Sequence, residues 1–154
     1  MSIIRLNRPE YGLAHLTAET EENKNISIPL IYKQDITGTF LPAFLNYKKA
    51  KPGKGQILLS IYEEDGLGWL IAVDRDIVYF LNKDTKEVYT VARGGSYFIR
   101  KCMNCFLEYP DEWARFDVED TPGIYDYPTA VQERTAYIEA MSDELAMYML
   151  RSKT

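Results

Sequence analysis

The clearest pattern in the sequence lies at its centre, where four short runs are rich in isoleucine, valine, leucine and tyrosine. They cover residues 56–63, 68–74, 76–81 and 87–92, with short polar segments between them. Parallel strands need a crossover of a dozen or more residues, so connections this short predict antiparallel pairing. The centre of the chain is therefore predicted to form an antiparallel meander. Because some runs are apolar at consecutive positions, we expect something to cover part of the second face of this sheet.

The segment before the meander contains a further strand. In residues 26–33, the apolar side chains Ile26, Ile28, Leu30 and Tyr32 alternate with residues 27, 29, 31 and 33, which is the two-residue period of a strand. Pro29 has no N–H for a β-ladder, which places this strand at a sheet edge. Residues 17–25 lack apolar periodicity and are predicted to form a surface loop, and residues 41–47 a short helix with Pro42 in its first turn. The predicted sheet has about four to six strands.

Two stretches in the second half have the three- and four-residue spacing of amphipathic helices. The first follows Ser96, which is a plausible N-cap, and ends just before a proline. The second covers about residues 128–151 and begins with Pro128 at the first helical position, or with a capping box from Thr129 to Gln132. Two amphipathic helices after a meander predict an α+β fold in which both helices pack on the sheet.

Length and chain ends narrow the class of protein further. The 154 residues contain no internal repeat and no long linker, so a single domain over residues 1–154 is predicted. The sequence starts without the apolar segment of a secretion signal, and its apolar runs are far shorter than the ~20 residues that span a bilayer. These features predict a cytoplasmic protein with no membrane partner.

The composition is acidic and rich in aromatic side chains. Lys and Arg number 18 against 23 Asp and Glu, which gives a net charge of −5, and there are 12 Tyr, 6 Phe and 2 Trp. This balance argues against a nucleic-acid-binding protein, which usually carries a basic face. Tyrosine is amphipathic and suits both half-buried strand positions and protein–protein contacts.

Few residues are candidates for catalysis or metal binding. His15 is the single histidine and lies between apolar residues, and the chain has no glycine-elbowed serine, so a structural histidine is favoured. Cys102 and Cys105 form one C-x-x-C in the middle of a predicted helix, whereas a zinc site needs about four ligands. Two reduced thiols, no metal and no cofactor are therefore predicted. Gly94 and Gly95 before the N-cap fit either an anion site or a simple capped turn, and the capped turn is favoured.

A family resemblance covers the segment from residue 65 to residue 108. Asp65-Gly66 leads into a strand that ends at Asp74, a Val78-Tyr79 strand and a hairpin follow, and a helix with an aromatic entry ends in Phe106-Leu107. In this order the segment resembles the SUKH superfamily, which contains yeast cell-wall-synthesis regulators and bacterial immunity proteins. The resemblance implies a core over about residues 56–109. The family usually opens with a charged helix, whereas residues 1–33 here are predicted to be strand, loop and strand.

Carboxylates beside aromatic side chains form the candidate partner-binding site. Acidic residues steer the encounter with a basic partner, and Trp and Tyr supply buried contact area. The alternative interpretation is that these are solvated loops around a core rich in tyrosine. The candidate residues fall in two groups, the first with Glu63, Glu64, Asp65, Trp69 and Asp74, the second with Asp111, Glu112, Trp113 and Tyr125. Three further carboxylates, Asp117, Glu119 and Asp120, lie between Trp113 and Tyr125 in the sequence.

The resemblance and the missing catalytic set predict a non-enzymatic immunity or antitoxin-like protein that binds and neutralises a cognate protein toxin. A nuclease is the natural partner, because nucleases carry basic clefts for nucleic acid. Two alternatives stay open. The first is a regulatory adaptor that binds an endogenous protein, as in the eukaryotic relatives. The second is a small enzyme with His15 or a buried carboxylate in a concave pocket.

Overall fold

A computed structural model describes residues 3–51, 53–118 and 128–151 of the protein. This part of the chain contains seven strands and four α-helices, which confirms the predicted α+β class. In chain order they are β1 (Ile3–Leu6), β2 (Leu13–Glu19), β3 (Asn25–Ile31), α1 (Ile36–Lys49), β4 (Gln56–Glu63), β5 (Gly66–Asp74), β6 (Ile77–Asn82), β7 (Val88–Val91), α2 (Gly95–Glu108), α3 (Pro110–Val118) and α4 (Pro128–Arg151).

The predicted meander is present as a four-stranded antiparallel sheet. Its strand order is β4-β5-β6-β7, so each strand pairs with the next one along the chain. Alternate side chains of each strand point inward and are buried, as expected for a period of two. The inward-facing residues are Ile57, Leu59, Ile61, Trp69, Ile71, Val73, Val78, Phe80 and Val91.

The N-terminal third forms a sheet of its own and does not extend the meander. Strands β1, β2 and β3 pair antiparallel in that order, separately from the four-stranded sheet. Pro29 lies on β3 and pairs with His15 of β2, and β3 is an edge strand of this sheet. This confirms the edge position that was predicted from the missing N–H. The predicted loop over residues 17–25 is too long, because β2 continues to Glu19 and β3 already begins at Asn25.

Helices α1 and α2 pack together through aromatic rings at the centre of the core. Phe44 and Phe98 meet edge to face at 5.7 Å, and Phe40 and Phe106 at 6.2 Å. One hydrophobic cluster joins these rings to both sheets and to α3 and α4. Helix α1 is longer than the predicted helix over residues 41–47, and Pro42 lies inside it rather than in its first turn.

Two further features of the helices differ from the sequence-based expectation. The N-cap of α2 is Gly94, whereas Ser96 lies within the first turn of the helix. Helix α3 occupies a segment that was predicted to be a polar loop, with Pro110 at its first position and Trp113 and Phe116 in the core. No helix in the described part of the chain is both long enough and apolar enough to cross a membrane.

Candidate functional site

The second side of the four-stranded sheet is open to solvent. Leu58 lies in register with Ala72, Tyr79 and Thr90 across the four strands. None of these four side chains is buried, and Leu58 is 68% exposed. The row is mostly apolar, although it faces away from the buried side chains of the same strands.

A neighbouring row has the same character. Ser60, Leu70, Leu81 and Val88 lie in register, and Val88 is 53% exposed. The sequence predicted a cover over part of this side, yet no element of the described chain buries it. Contiguous apolar surface in a folded domain is typical of interaction sites. We name the apolar side chains on this side of the sheet the outer face. They are Leu58, Leu70, Ala72, Ile77, Tyr79, Leu81 and Val88.

Three carboxylates of the first predicted group, Glu63, Glu64 and Asp65, lie at the β4–β5 turn, at one end of the outer face. Glu64 and Asp65 are exposed at the tip. Trp69 was predicted to offer its ring to a partner, but it points inward and is 7% exposed. Its ring is part of the core, and its Nε1 donates a hydrogen bond of 3.0 Å to Oε1 of Glu63.

A β-bulge gives this turn its shape. Gly68 has a φ of +88°, and a Cβ at this position would lie 1.9 Å from the carbonyl oxygen of Ile61, so only glycine fits. The N–H of Leu67 donates to both carboxylate oxygens of Asp84, at 3.0 and 3.1 Å. The β4–β5 and β6–β7 turns are therefore tied together at the same end of the sheet.

The turns of this sheet are predominantly acidic. Residues 63–66, 74–76 and 82–87 carry seven carboxylates and three cationic side chains. Asp74, another predicted site residue, is exposed at the end of the sheet opposite the β4–β5 tip. The outer face is thus an apolar surface with negative charge at both ends.

The edges of the sheet are less accessible than its face. Gln34 donates from its side-chain amide to the carbonyl oxygen of Tyr62 on β4. At the other edge, the N–H of Glu21 donates to the carbonyl oxygen of Thr90 at 3.1 Å, and the Glu21 carboxylate accepts the N–H of Ala92 at 2.7 Å. Because these groups are already paired, a partner strand would have to displace Gln34 at one edge and Glu21 at the other.

The second predicted group does not form an exposed acidic surface. Trp113 is 0% exposed, because α3 turns it into the core. Asp111 pairs with Arg115 at 2.9 Å, and Glu112 pairs with Arg8 at 2.8 Å, so both carboxylates already have cationic partners. The prediction that Trp113 contacts a partner is therefore wrong. Tyr125 lies outside the described residues, as do Glu119, Asp120 and Tyr127.

Asp117 is a buried carboxylate that joins three helices, although its acidic neighbours in the sequence favour an exposed position. Its side chain is 0% exposed. Oδ1 accepts the N–H of Ile36 at 2.7 Å and Oδ2 accepts the N–H of Thr37 at 3.0 Å, at the start of α1. Arg134 of α4 lies 3.4 Å from Oδ2 and also pairs with Asp35. Asp117 thus caps α1, since the N-cap residue Asp35 makes no cap bond of its own.

Burial is the main influence on the acidity of this group. It raises the pKa of Asp117 to about 6, and the hydrogen bonds from Thr37 and Ile36 and the charge of Arg134 limit the rise. The groove at this cluster, of about 530 Å³, is lined by Asp35, Arg134 and others but not by Asp117 itself. The carboxylate therefore faces the start of α1 rather than an open pocket.

The two cysteines are free thiols within α2, as the sequence predicted, and the structure shows that both are buried. Burial raises the pKa of both thiols, that of Cys105 to about 11. They are protonated at neutral pH and so are poor nucleophiles. His15 borders an open groove of about 630 Å³ together with Arg8 and Glu10. Within the described residues, no three His, Cys, Asp or Glu side chains lie close enough to hold a metal ion.

Comparisons with protein-family models, with curated proteins and with solved structures find no match for this chain. The similarity of residues 65–108 to the SUKH superfamily therefore stays a prediction from the sequence. The outer face and the acidic turns at its two ends have the geometry of a protein-binding surface.

Proposed function

We propose that this chain is a non-enzymatic protein-binding domain of the immunity or antitoxin type, which neutralises a basic protein toxin by docking it on the outer face. One observation carries the proposal: Leu58 and Val88, on the two edge strands, are 68% and 53% exposed on a sheet face that no described element covers. Burial of such apolar surface is the main favourable contribution in most protein associations.

The charge at the ends of the outer face favours a basic partner. Glu64 and Asp65 are exposed at one end, and Asp74 at the other. Exposed carboxylates around an apolar centre steer a cationic protein into contact and raise its association rate constant, whereas the apolar centre limits dissociation. Binding of this kind weakens as salt screens the charges.

The blocked edges indicate how the partner binds. Gln34 and Glu21 occupy backbone groups of the two edge strands. A partner therefore contacts the outer face with its side chains and does not extend the sheet by a strand. This arrangement leaves the association dependent on Leu58 and Val88 rather than on main-chain hydrogen bonds.

Two properties of the chain support a blocking protein over an enzyme. The thiols of Cys102 and Cys105 are buried and protonated, and the buried carboxylate of Asp117 caps a helix. A nuclease is the toxin class that fits best, because its basic cleft complements the acidic turns. An adaptor that binds an endogenous basic protein would use the same face, and the experiment below separates the two functions.

Co-purification with the product of the adjacent reading frame, together with rescue of cells that express this product, tests the proposal. We expect Leu58→Lys to raise the dissociation constant about thirty- to a hundredfold and to abolish rescue, because it removes an apolar contact and adds a repelling charge. Leu150→Lys is the matched control. Leu150 is 64% exposed and lies on α4, which is on the helical side of the molecule.

The expected result is a complex that survives Leu150→Lys and is lost with Leu58→Lys. The absence of any complex and of any rescue would contradict the immunity function. A complex without rescue would instead assign the chain to the adaptor class. Equal loss with both variants would place the contact elsewhere than on the outer face.

A further inference from the structure

Four cationic side chains lie together where α2 begins and α1 ends. Arg93, Arg100 and Lys101 lie 4.9, 6.0 and 5.4 Å from the centre of the Tyr97 ring. Lys48, at the end of α1, interacts with the charge of Arg100. Lys48, Arg93, Arg100 and Lys101 are named the cationic cluster. Its presence is notable in a chain whose net charge is −5.

A tight contact between the two helices holds Lys48 in this cluster. The Tyr47 ring packs on Gly95, where a Cβ would come within 2.3 Å of Cζ of the ring. Lys48 then donates a hydrogen bond from Nζ to the hydroxyl of Ser96, in the first turn of α2. The ammonium group is thus fixed beside α2 by packing and by a hydrogen bond.

Three members of the cationic cluster have no carboxylate partner among the described residues. Lys48, Arg100 and Lys101 form no salt bridge with any described residue. The like charges of Lys48 and Arg100 repel each other. Burial and the charge of Arg100 lower the pKa of Lys48, which shows that its positive charge is disfavoured there. The positive end of the α2 dipole adds to this cost.

We propose that the cationic cluster binds a compact polyphosphate group, the chemistry shared by inorganic polyphosphate and by nucleoside di- and triphosphates. Such a group places several negative charges and many acceptor oxygens within a few ångströms, which suits arginine forks and lysine ammonium groups. The inference does not depend on the proposed function, because the cluster lies on α1, on α2 and on the segment before α2, whereas the outer face lies on the sheet.

The arrangement favours a compact ligand over a nucleic-acid strand. Arg93, Arg100 and Lys101 surround a single ring rather than forming a long track. Proteins that bind single strands stack bases on free aromatic faces. Here the cations approach the Tyr97 ring, and its hydroxyl accepts the N–H of Ile4 at 3.4 Å. Tyr97 is therefore engaged and does not offer a stacking platform.

Calorimetric titration of the full chain with inorganic tripolyphosphate, with ATP and with a single-stranded oligonucleotide tests this inference. We expect saturable binding of tripolyphosphate, weakened about tenfold by Arg100→Gln and by Lys101→Gln. Lys86→Gln is the matched control, because Lys86 is an exposed cation on the β6–β7 turn and its loss changes the net charge equally. This variant is expected to stay within about twofold of the wild type.

Equal affinity for ATP and tripolyphosphate would show that the phosphate chain alone is recognised, and a higher affinity for ATP would identify a nucleotide site. The proposal is overturned if tripolyphosphate gives no saturable binding, or if Lys86→Gln weakens binding as much as Arg100→Gln. It is also overturned if the oligonucleotide binds more tightly than tripolyphosphate, which would assign the cluster to nucleic acid.

Discussion

Replacement of Trp113 by alanine is expected to lower the free energy of unfolding by about 3–5 kcal/mol. Trp113 is 0% exposed and lies edge to face against Phe106 and Phe116, with ring centres 5.0 and 5.3 Å apart. Its Nε1 also donates to Sγ of Cys105 at 3.4 Å. Alanine removes these contacts and leaves a cavity that the surrounding core fills only in part. Denaturant unfolding followed by circular dichroism measures the loss.

Two variants make the Trp113 result specific. Trp113→Phe keeps part of the ring packing and is expected to cost less, about 1–3 kcal/mol. Tyr62→Ala removes an aromatic side chain that is 65% exposed and should change stability by less than about 1 kcal/mol. A loss below about 1 kcal/mol for Trp113→Ala, together with weaker partner binding, would instead place Trp113 at an exposed contact.

Asp117→Ala is the second large effect, with an expected loss of about 3 kcal/mol in the free energy of unfolding at pH 5. The substitution leaves the N–H groups of Ile36 and Thr37 without their acceptor and removes one of the two carboxylates beside Arg134. Asp117→Asn retains one acceptor oxygen and should lose about half as much. Asp111→Ala, on the exposed side of the same helix, should lose less than about 1 kcal/mol.

The pH dependence of this loss follows from the raised pKa of Asp117. The folded protein holds the proton up to a pKa of about 6, above the usual value of 3.8, so folding is favoured at low pH and the wild type loses this stability as the pH rises through 6. From pH 5 to pH 7 the difference between the wild type and Asp117→Ala should shrink by about 1 kcal/mol. A difference that stays constant over this range would mean that the pKa of Asp117 is not raised in the folded protein.

Features that depend on neighbouring residues could be predicted from the sequence. The meander follows from short connections between apolar runs, which leave no room for a crossover. The last helix follows from apolar spacing over residues 128–151, which are the bounds of α4. Pro29 marks an edge strand because of its missing N–H, and Cys102 and Cys105 lie within α2, in the helix where the sequence placed them.

Features that depend on distant residues could not be predicted. Helix α1 begins at Ile36 because Asp117, 81 residues later, caps it, and no local signal marks that start. The sequence favours an exposed, partner-binding Trp113 because carboxylates flank it. Pro110 and the acidic residues of the first turn, however, are a signal for the start of a helix. The carboxylates of Glu112 and Asp111 form ion pairs with Arg8 and Arg115 at the surface of this helix.

The candidate site was predicted only at its ends. Glu64 and Asp65 are exposed at a turn, as acidic turn residues usually are. The apolar positions between the turns were overlooked, because strands with apolar residues on both sides do not reveal which side remains uncovered. Leu58 and Val88 became candidates only when the register of the four strands placed them on the open side.

An NMR titration of the methyl-labelled chain with the product of the adjacent reading frame tests docking on the outer face most directly. The methyl signals of Leu58, Leu70, Leu81 and Val88 are expected to shift or broaden as the partner is added, while those of Leu150, 64% exposed on α4, keep their positions. Shifts confined to Leu150 and its neighbours on α4, with Leu58 and Val88 unchanged, would contradict the assignment of the outer face as the binding site.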